Sequence, residues 1–104
     1  MEAQELFELL DAIRSHPNLV GIEGRSLTAL FVFLGGYEAG VARYEKRGFF
    51  SYLRPFNVWV AKELGFAEPT SGWRNMILAR AKSEEEAFDM FFGLLDKFRG
   101  RPVA

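Results

Sequence analysis

The chain has 104 residues and no cysteine, which is the length of one domain and excludes disulfide bonds and thiolate chemistry. Hydrophobic residues make up 49% of it and the formal net charge is −1, so the overall charge does not indicate binding to nucleic acid. The longest apolar run, residues 27–36, is too short to span a membrane, and the acidic start does not resemble a signal peptide. We therefore expect one cytoplasmic domain, 1–104. The apolar surplus favours a homodimer.

The first predicted helix covers residues 2–15. Its apolar positions share one side, and its acidic residues lie opposite them. It should end at His16, because the residue before Pro17 avoids the α-helical conformation. A connector with turns at Gly21 and Gly24 follows it.

A long central helix is predicted over residues 25–45, with Ser26 as its N-cap. Two apolar stripes run along nearly opposite sides of it, which predicts that neighbouring helices cover it on both sides. The second stripe contains Gly36 and Gly40, and their spacing predicts one especially close helix neighbour. On this reading, Gly36→Leu should disrupt the fold. The stripes are Leu27, Leu30, Phe31, Leu34, Tyr37 and Val41, and Ala29, Phe33, Gly36, Gly40 and Tyr44.

Three further helices follow. Pro55 suits the first turn of the third helix, and Gly65 its end. The fourth, residues 73–81, should be capped by Thr70 or Ser71. The last begins at a capping box at residues 83–86 and runs to about residue 99. Its wide apolar arc leaves four residues for water: Asp89, Gly93, Asp96 and Lys97. The prediction is an all-α bundle of five helices around the central helix 25–45.

No arrangement typical of catalysis or metal binding is visible. His16 has no neighbouring residues that would complete a triad or a zinc site. The run Glu84-Glu85-Glu86 is typical of a first helical turn, and its side chains point in different directions. We therefore expect a protein that is not an enzyme and that uses no metal and no cofactor.

Glu38 is the most informative polar residue, because it falls inside the first apolar stripe of the central helix. A buried carboxylate needs a partner, and the candidates are the arginines Arg25, Arg54, Arg74 and Arg80. An ion pair that only stabilises the fold is one interpretation, and a role in recognition is the other.

Four aromatic residues are of the types that anchor protein interfaces, although core positions suit them as well. They are Tyr37, Tyr44, Trp59 and Trp73. The sequence therefore favours an interaction protein. Its candidate contact residues are Arg25, Tyr37, Glu38, Tyr44, Arg54, Trp73 and Arg74.

An anion-binding regulatory module is the alternative. The connector before the central helix lacks the phosphate-loop motif, but it ends in Arg25 and Ser26 at a helix N-terminus. That arrangement suits an anion, with Arg54 and Arg74 as further candidates.

Residues 16–99 resemble a group of small uncharacterised bacterial proteins. The resemblance lies in an RSL..L..FL.GY run from Arg25 to Tyr37, an F..W pair at Phe56 and Trp59, and a W...I tail that starts at Trp73 and continues to Phe98. Such proteins are associated with toxin–immunity neighbourhoods. The resemblance implies an immunity protein that binds and occludes a toxin.

Overall fold

The computed structural model describes residues 3–44, 53–69 and 71–100. In these ranges the chain forms five α-helices, one 3₁₀ turn at Pro17–Val20 and no strand, which confirms the all-α bundle. The helices are α1 (Ala3–Ser15), α2 (Leu27–Tyr44), α3 (Arg54–Leu64), α4 (Gly72–Arg80) and α5 (Glu84–Phe98). No helix in this part of the chain is long and apolar enough to span a membrane.

Most of the predicted helix ends are confirmed. The Ser26 hydroxyl accepts the N–H of Ala29 at 3.1 Å, and the Ser83 hydroxyl accepts the N–H of Glu86 at the same distance. Gly65 ends α3 with a φ of 78°, a conformation that glycine adopts without strain.

The start of α4 differs from the prediction. Ser71 makes no capping hydrogen bond through its side chain, and Thr70 lies outside the described residues. Instead, Asn57 of α3 accepts the N–H of Trp73 at 2.8 Å through its Oδ1 atom. A side chain from a neighbouring helix therefore satisfies a donor that a local cap usually satisfies.

The core is rich in aromatic rings, and α5 supplies much of it. The Phe91 ring lies 5.6 Å from Phe56, 4.7 Å from Trp73 and 5.0 Å from Phe92. Phe56 is fully buried and joins this cluster to Phe98 on the last turn of α5. Helices α3, α4 and α5 therefore pack around shared rings.

Among the described residues, the two predicted stripes of α2 are covered to different degrees, and Ala29 and Phe33 of the second stripe are partly buried against the core. Leu27, Leu30 and Leu34 of its first stripe are buried, as predicted. Gly36 and Gly40 of the second stripe are exposed, and a Cβ atom added at either would meet no described atom within 4 Å. The prediction of a close helix neighbour at these glycines is wrong, and so is the steric reason for expecting Gly36→Leu to disrupt the fold.

Asp96 was predicted to face water, and this prediction is also wrong. The residue is only 3% exposed, and its carboxylate accepts a hydrogen bond from Arg14 of α1 at 2.8 Å. The Arg14 guanidinium lies 5.4 Å from the centre of the Phe92 ring. A second salt bridge, at 3.2 Å, joins Arg99, the residue after α5, to Asp11 of α1.

Candidate functional site

The outward side of α2 is exposed to solvent, and most of its side chains are small. Val32 is 67% exposed, and the residues around it are small. We call this surface the α2 face, and it consists of Val32, Gly35, Gly36, Ala39 and Gly40. None of the five residues of the α2 face is charged, and Arg43 in the last turn of α2 is the next charged residue on that side. An exposed helix side of this length without a charge is unusual, because the solvent side of a helix is normally polar.

A cavity of about 230 Å³ lies beside the α2 face. We call it the Glu38 cavity, and it is lined by Phe31, Leu34, Gly35, Glu38, Leu53, Asn57, Gly72 and Trp73. These residues come from α2, α4, the start of α3 and the residue before it. Glu38 is 6% exposed, and six of the seven residues that line the cavity with it are apolar.

Aromatic rings form one wall of the Glu38 cavity. Phe31, which is 41% exposed, meets the buried Trp73 ring edge-on at 5.5 Å. The Arg74 guanidinium stacks over Phe31, with 4.7 Å between its central carbon and the ring centre. Asn57 belongs to the lining while its Oδ1 atom caps α4, so its position is fixed.

The structure brings together three of the predicted contact residues. Glu38 and Trp73 line the cavity, and Arg74 stacks on a third lining residue. The other four lie elsewhere or contribute no described contact to the lining. Tyr37 stacks on Phe33 at 6.0 Å, and Arg25 pairs with Asp89 at 3.1 Å. Arg54 is the first residue of α3, and Tyr44 is the last of α2.

Three of the four arginines considered as partners for Glu38 have other contacts, and the stacking of Arg74 on Phe31 is one of these. Arg25 is engaged with Asp89, and Arg80 donates to the carbonyl oxygen of Leu64 at 3.2 Å. Among the described residues there is no cluster of side chains suited to a metal ion.

The N-terminus of α2, the candidate anion site of the alternative interpretation, holds a carboxylate of the chain itself. Glu84 accepts the N–H of Thr28 at 2.8 Å and the Thr28 hydroxyl at 2.7 Å. The Ser26 hydroxyl donates to the same carboxylate at 3.2 Å. An external anion would have to displace Glu84 from these donors. The structure therefore weighs against the anion-binding alternative at Ser26.

Because of these contacts, the fold should become less stable when the pH falls into the acid range. The Thr28 N–H, and after it the Thr28 hydroxyl, hold the pKa of Glu84 below its usual value. Because the pKa is lower in the folded chain, the ionised carboxylate stabilises the fold above the unfolded pKa of about 4.3. This contribution is lost as the pH falls through the folded pKa.

We expect Glu84→Gln to lower the free energy of unfolding at pH 7 by about 1–2 kcal/mol. When the pH is lowered, the free energy of unfolding should also decrease less for the variant than for the parent chain. Urea unfolding between pH 3 and pH 7 measures both effects. Glu85→Gln, on the exposed side of the same turn, is the control and should behave like the parent chain. Parallel pH curves for Glu84→Gln and the parent chain would contradict the assignment.

Comparison with known proteins adds no further guide. No protein-family model matches the chain, and no curated protein or solved structure is detectably similar to it. The resemblance to small bacterial proteins stays a prediction. A function for this chain therefore has to follow from the α2 face and the Glu38 cavity.

Proposed function

We propose that the chain is a non-enzymatic protein-binding module, and that a helix of another protein docks on the α2 face. The uncovered, uncharged α2 face is the observation that carries the proposal. A lone exposed apolar residue such as Val32 is ordinary, but five exposed positions of one helix side that carry no charge, from Val32 to Gly40, are typical of a contact surface.

The small residues of the α2 face favour a helix as the occupant. Each glycine inside a helix costs about 1 kcal/mol relative to alanine. No described residue of the chain lies within 4 Å of a Cβ atom at Gly36 or Gly40, so packing within the described part of the chain does not offset that cost. A helix from outside could approach the backbone closely at these two positions, and van der Waals contact would then stabilise the complex.

The resemblance to small bacterial proteins supplies the class of partner. As part of the same proposal, the partner is a toxin and the chain is an immunity protein that occludes it in the cytoplasm. Occlusion needs only a stable complex, so this role requires no catalytic residues in the chain.

Site-specific photo-crosslinking tests the proposal. A p-benzoylphenylalanine introduced at Val32 in the native host should form an adduct with one other protein, and the same probe at the exposed Ala12 of α1 should not. The captured protein, once purified, should bind the chain in a one-to-one complex. Val32→Glu should weaken that complex at least 100-fold without changing the melting temperature, because Val32 has little burial to lose.

Two results would overturn the proposal. The first is an equal yield of adducts from Val32 and Ala12. The second is an adduct between two copies of the chain, with a dimer in light scattering that Val32→Glu separates. That second result would establish the predicted homodimer in place of a complex with another protein.

A further inference from the structure

We infer that a second cavity, where the end of α1 and the segment before α2 meet α5, binds a small oxyanion between two arginines. The oxyanion is a carboxylate or a phosphate. We call this site the arginine cavity, and its volume is about 320 Å³. None of its lining residues belongs to the α2 face, so the inference does not rest on the proposed function. The lining consists of Arg14, Arg25, Phe88, Asp89, Phe92 and Gly93.

The first arginine is held in position from inside the bundle. Nη1 of Arg14 donates to the carboxylate of Asp96 at 2.8 Å, and Asp96 is buried. The guanidinium also lies 5.4 Å from the centre of the Phe92 ring. Asp96 engages one nitrogen of Arg14, and a guanidinium carries donors on two more. Arg14 therefore has a fixed orientation and further donors for a ligand.

The second arginine is held more loosely. Nε of Arg25 lies 3.1 Å from Oδ1 of Asp89, and both side chains are more than half exposed to water. Exposed salt bridges of this kind add little to stability. An oxygen atom of a ligand can therefore compete with Asp89 for Arg25 without disturbing the fold.

The charges of the lining favour an anion. Two guanidinium groups and one carboxylate line the cavity, and Asp96 is not part of the lining. The planar fork of a guanidinium matches the geometry of carboxylate and phosphate oxygens. Donors from Arg14 and Arg25 would reach one oxyanion from two different segments of the chain. An organic cation would be repelled by both of them.

Gly93 keeps the cavity open. A glycine inside a helix costs about 1 kcal/mol relative to alanine, and Gly93 lies in the middle of α5. A Cβ atom added at Gly93 would meet no described atom within 4 Å, so close packing does not require glycine at this position. A larger side chain there would take up space that a ligand needs.

The size of the arginine cavity indicates a small ligand. Pockets for drug-sized ligands have volumes of about 300–1,000 Å³, and this cavity lies at the lower end of that range. A short carboxylic acid or a phosphate group fits such a volume better than a whole nucleotide.

Titration of the isolated chain with small anions tests the inference. The probes are inorganic phosphate and butyrate, added at constant ionic strength so that general screening does not change. The controls are n-butylammonium and 1-butanol. The Nε–H signals of Arg14 and Arg25 and the amide signal of Gly93 in a ¹⁵N NMR spectrum report on the cavity. We expect saturable shifts with at least one of the two anions and none with the controls.

The exposed salt bridge provides a matched pair of variants. Arg25→Met and Asp89→Asn both break the bridge, but they should change anion binding in opposite directions. Loss of a charged donor should weaken binding about tenfold. Loss of the neighbouring negative charge should strengthen it about fivefold. A role of the bridge in stability alone would not produce opposite effects.

Two further variants test the walls of the cavity. Gly93→Leu should abolish anion binding, whereas Gly36→Leu, on the α2 face, should leave it unchanged. The double variant Arg14→Met/Asp96→Leu removes the other arginine together with its buried partner, so no unpaired charge stays in the bundle. It should weaken anion binding about tenfold.

The anions themselves distinguish the two sources of an oxyanion. Saturation by phosphate alone assigns the cavity to phosphate groups, and saturation by butyrate alone assigns it to carboxylates. The inference is overturned if neither anion saturates these signals. It is also overturned if Arg25→Met and Asp89→Asn weaken binding equally, or if Gly93→Leu binds the anions as the parent chain does.

Discussion

Replacing Phe56 by alanine should lower the free energy of unfolding by about 4 kcal/mol, within the range usual for buried phenylalanines. The residue is fully buried, and its ring lies within 5.3–6.4 Å of four others. Those rings belong to Trp59, Trp73, Phe91 and Phe98. Truncation would leave a cavity where α3, α4 and α5 meet, and rigid rings cannot collapse to fill it. Urea unfolding followed by circular dichroism measures the loss.

Phe31→Ala is the control for this substitution. It removes the same atoms from a ring that is 41% exposed, so we expect a loss of about 1–2 kcal/mol. Phe31 also borders the Glu38 cavity, so the substitution changes the cavity wall as well. Equal losses for Phe56→Ala and Phe31→Ala would show that the shared ring cluster is not the centre of the core.

Asp96→Ala should lower the free energy of unfolding by about 2–3 kcal/mol. Removing one partner of a buried ion pair costs about 3–5 kcal/mol, and the value here is reduced because Arg14 is partly exposed to water. The substitution leaves the Arg14 guanidinium beside the Phe92 ring without its carboxylate. Thermal and urea unfolding at pH 7 measure the effect.

Two further variants test the cause. Asp89 lies on α5, as Asp96 does, but its salt bridge to Arg25 is exposed to water. Asp89→Ala should therefore lower the free energy of unfolding by no more than about 0.5 kcal/mol. The double variant Arg14→Met/Asp96→Leu replaces both charges by apolar groups and should recover most of the stability that Asp96→Ala loses. Similar losses for Asp96→Ala and Asp89→Ala would contradict a buried role for Asp96.

The features that the sequence predicted well are those encoded by neighbouring residues. Ser26 and Ser83 cap helices whose first turns follow them directly, and Gly65 ends α3 by its own conformational freedom. The buried stripe of α2 also follows from helical spacing. Each of these signals lies within a few residues of its effect, so the helix bounds required no knowledge of the packing.

The errors concern residues whose surroundings come from distant parts of the chain. Spacing placed Asp96 on the polar side of α5, but Arg14, 82 residues earlier, covers it. Helical spacing also showed that α2 has two apolar sides, but it does not show whether a neighbour exists for the second. For the same reason, the role of Glu84 at the start of α2 was not predicted.

The candidate site was predicted in part. Glu38 stood out because it interrupts an apolar stripe, and Trp73 and Arg74 were among the candidate contact residues. Asn57, Leu53 and Gly72 join Glu38 only through the packing of α2, α3 and α4. No local motif marks them. The polar capping role of Asn57 toward α4 could have been suspected only after the two helices had been placed side by side.

The hydrogen bonds of Glu84 have a consequence for the order of folding. Glu84 and Thr28 are 56 residues apart, yet the carboxylate satisfies donors in the first turn of α2. On the ribosome, α2 is therefore complete as a peptide long before its capping carboxylate has been made. We therefore expect the Thr28 N–H and hydroxyl to remain without this acceptor until the last helix forms, which predicts that the start of α2 is completed late in folding.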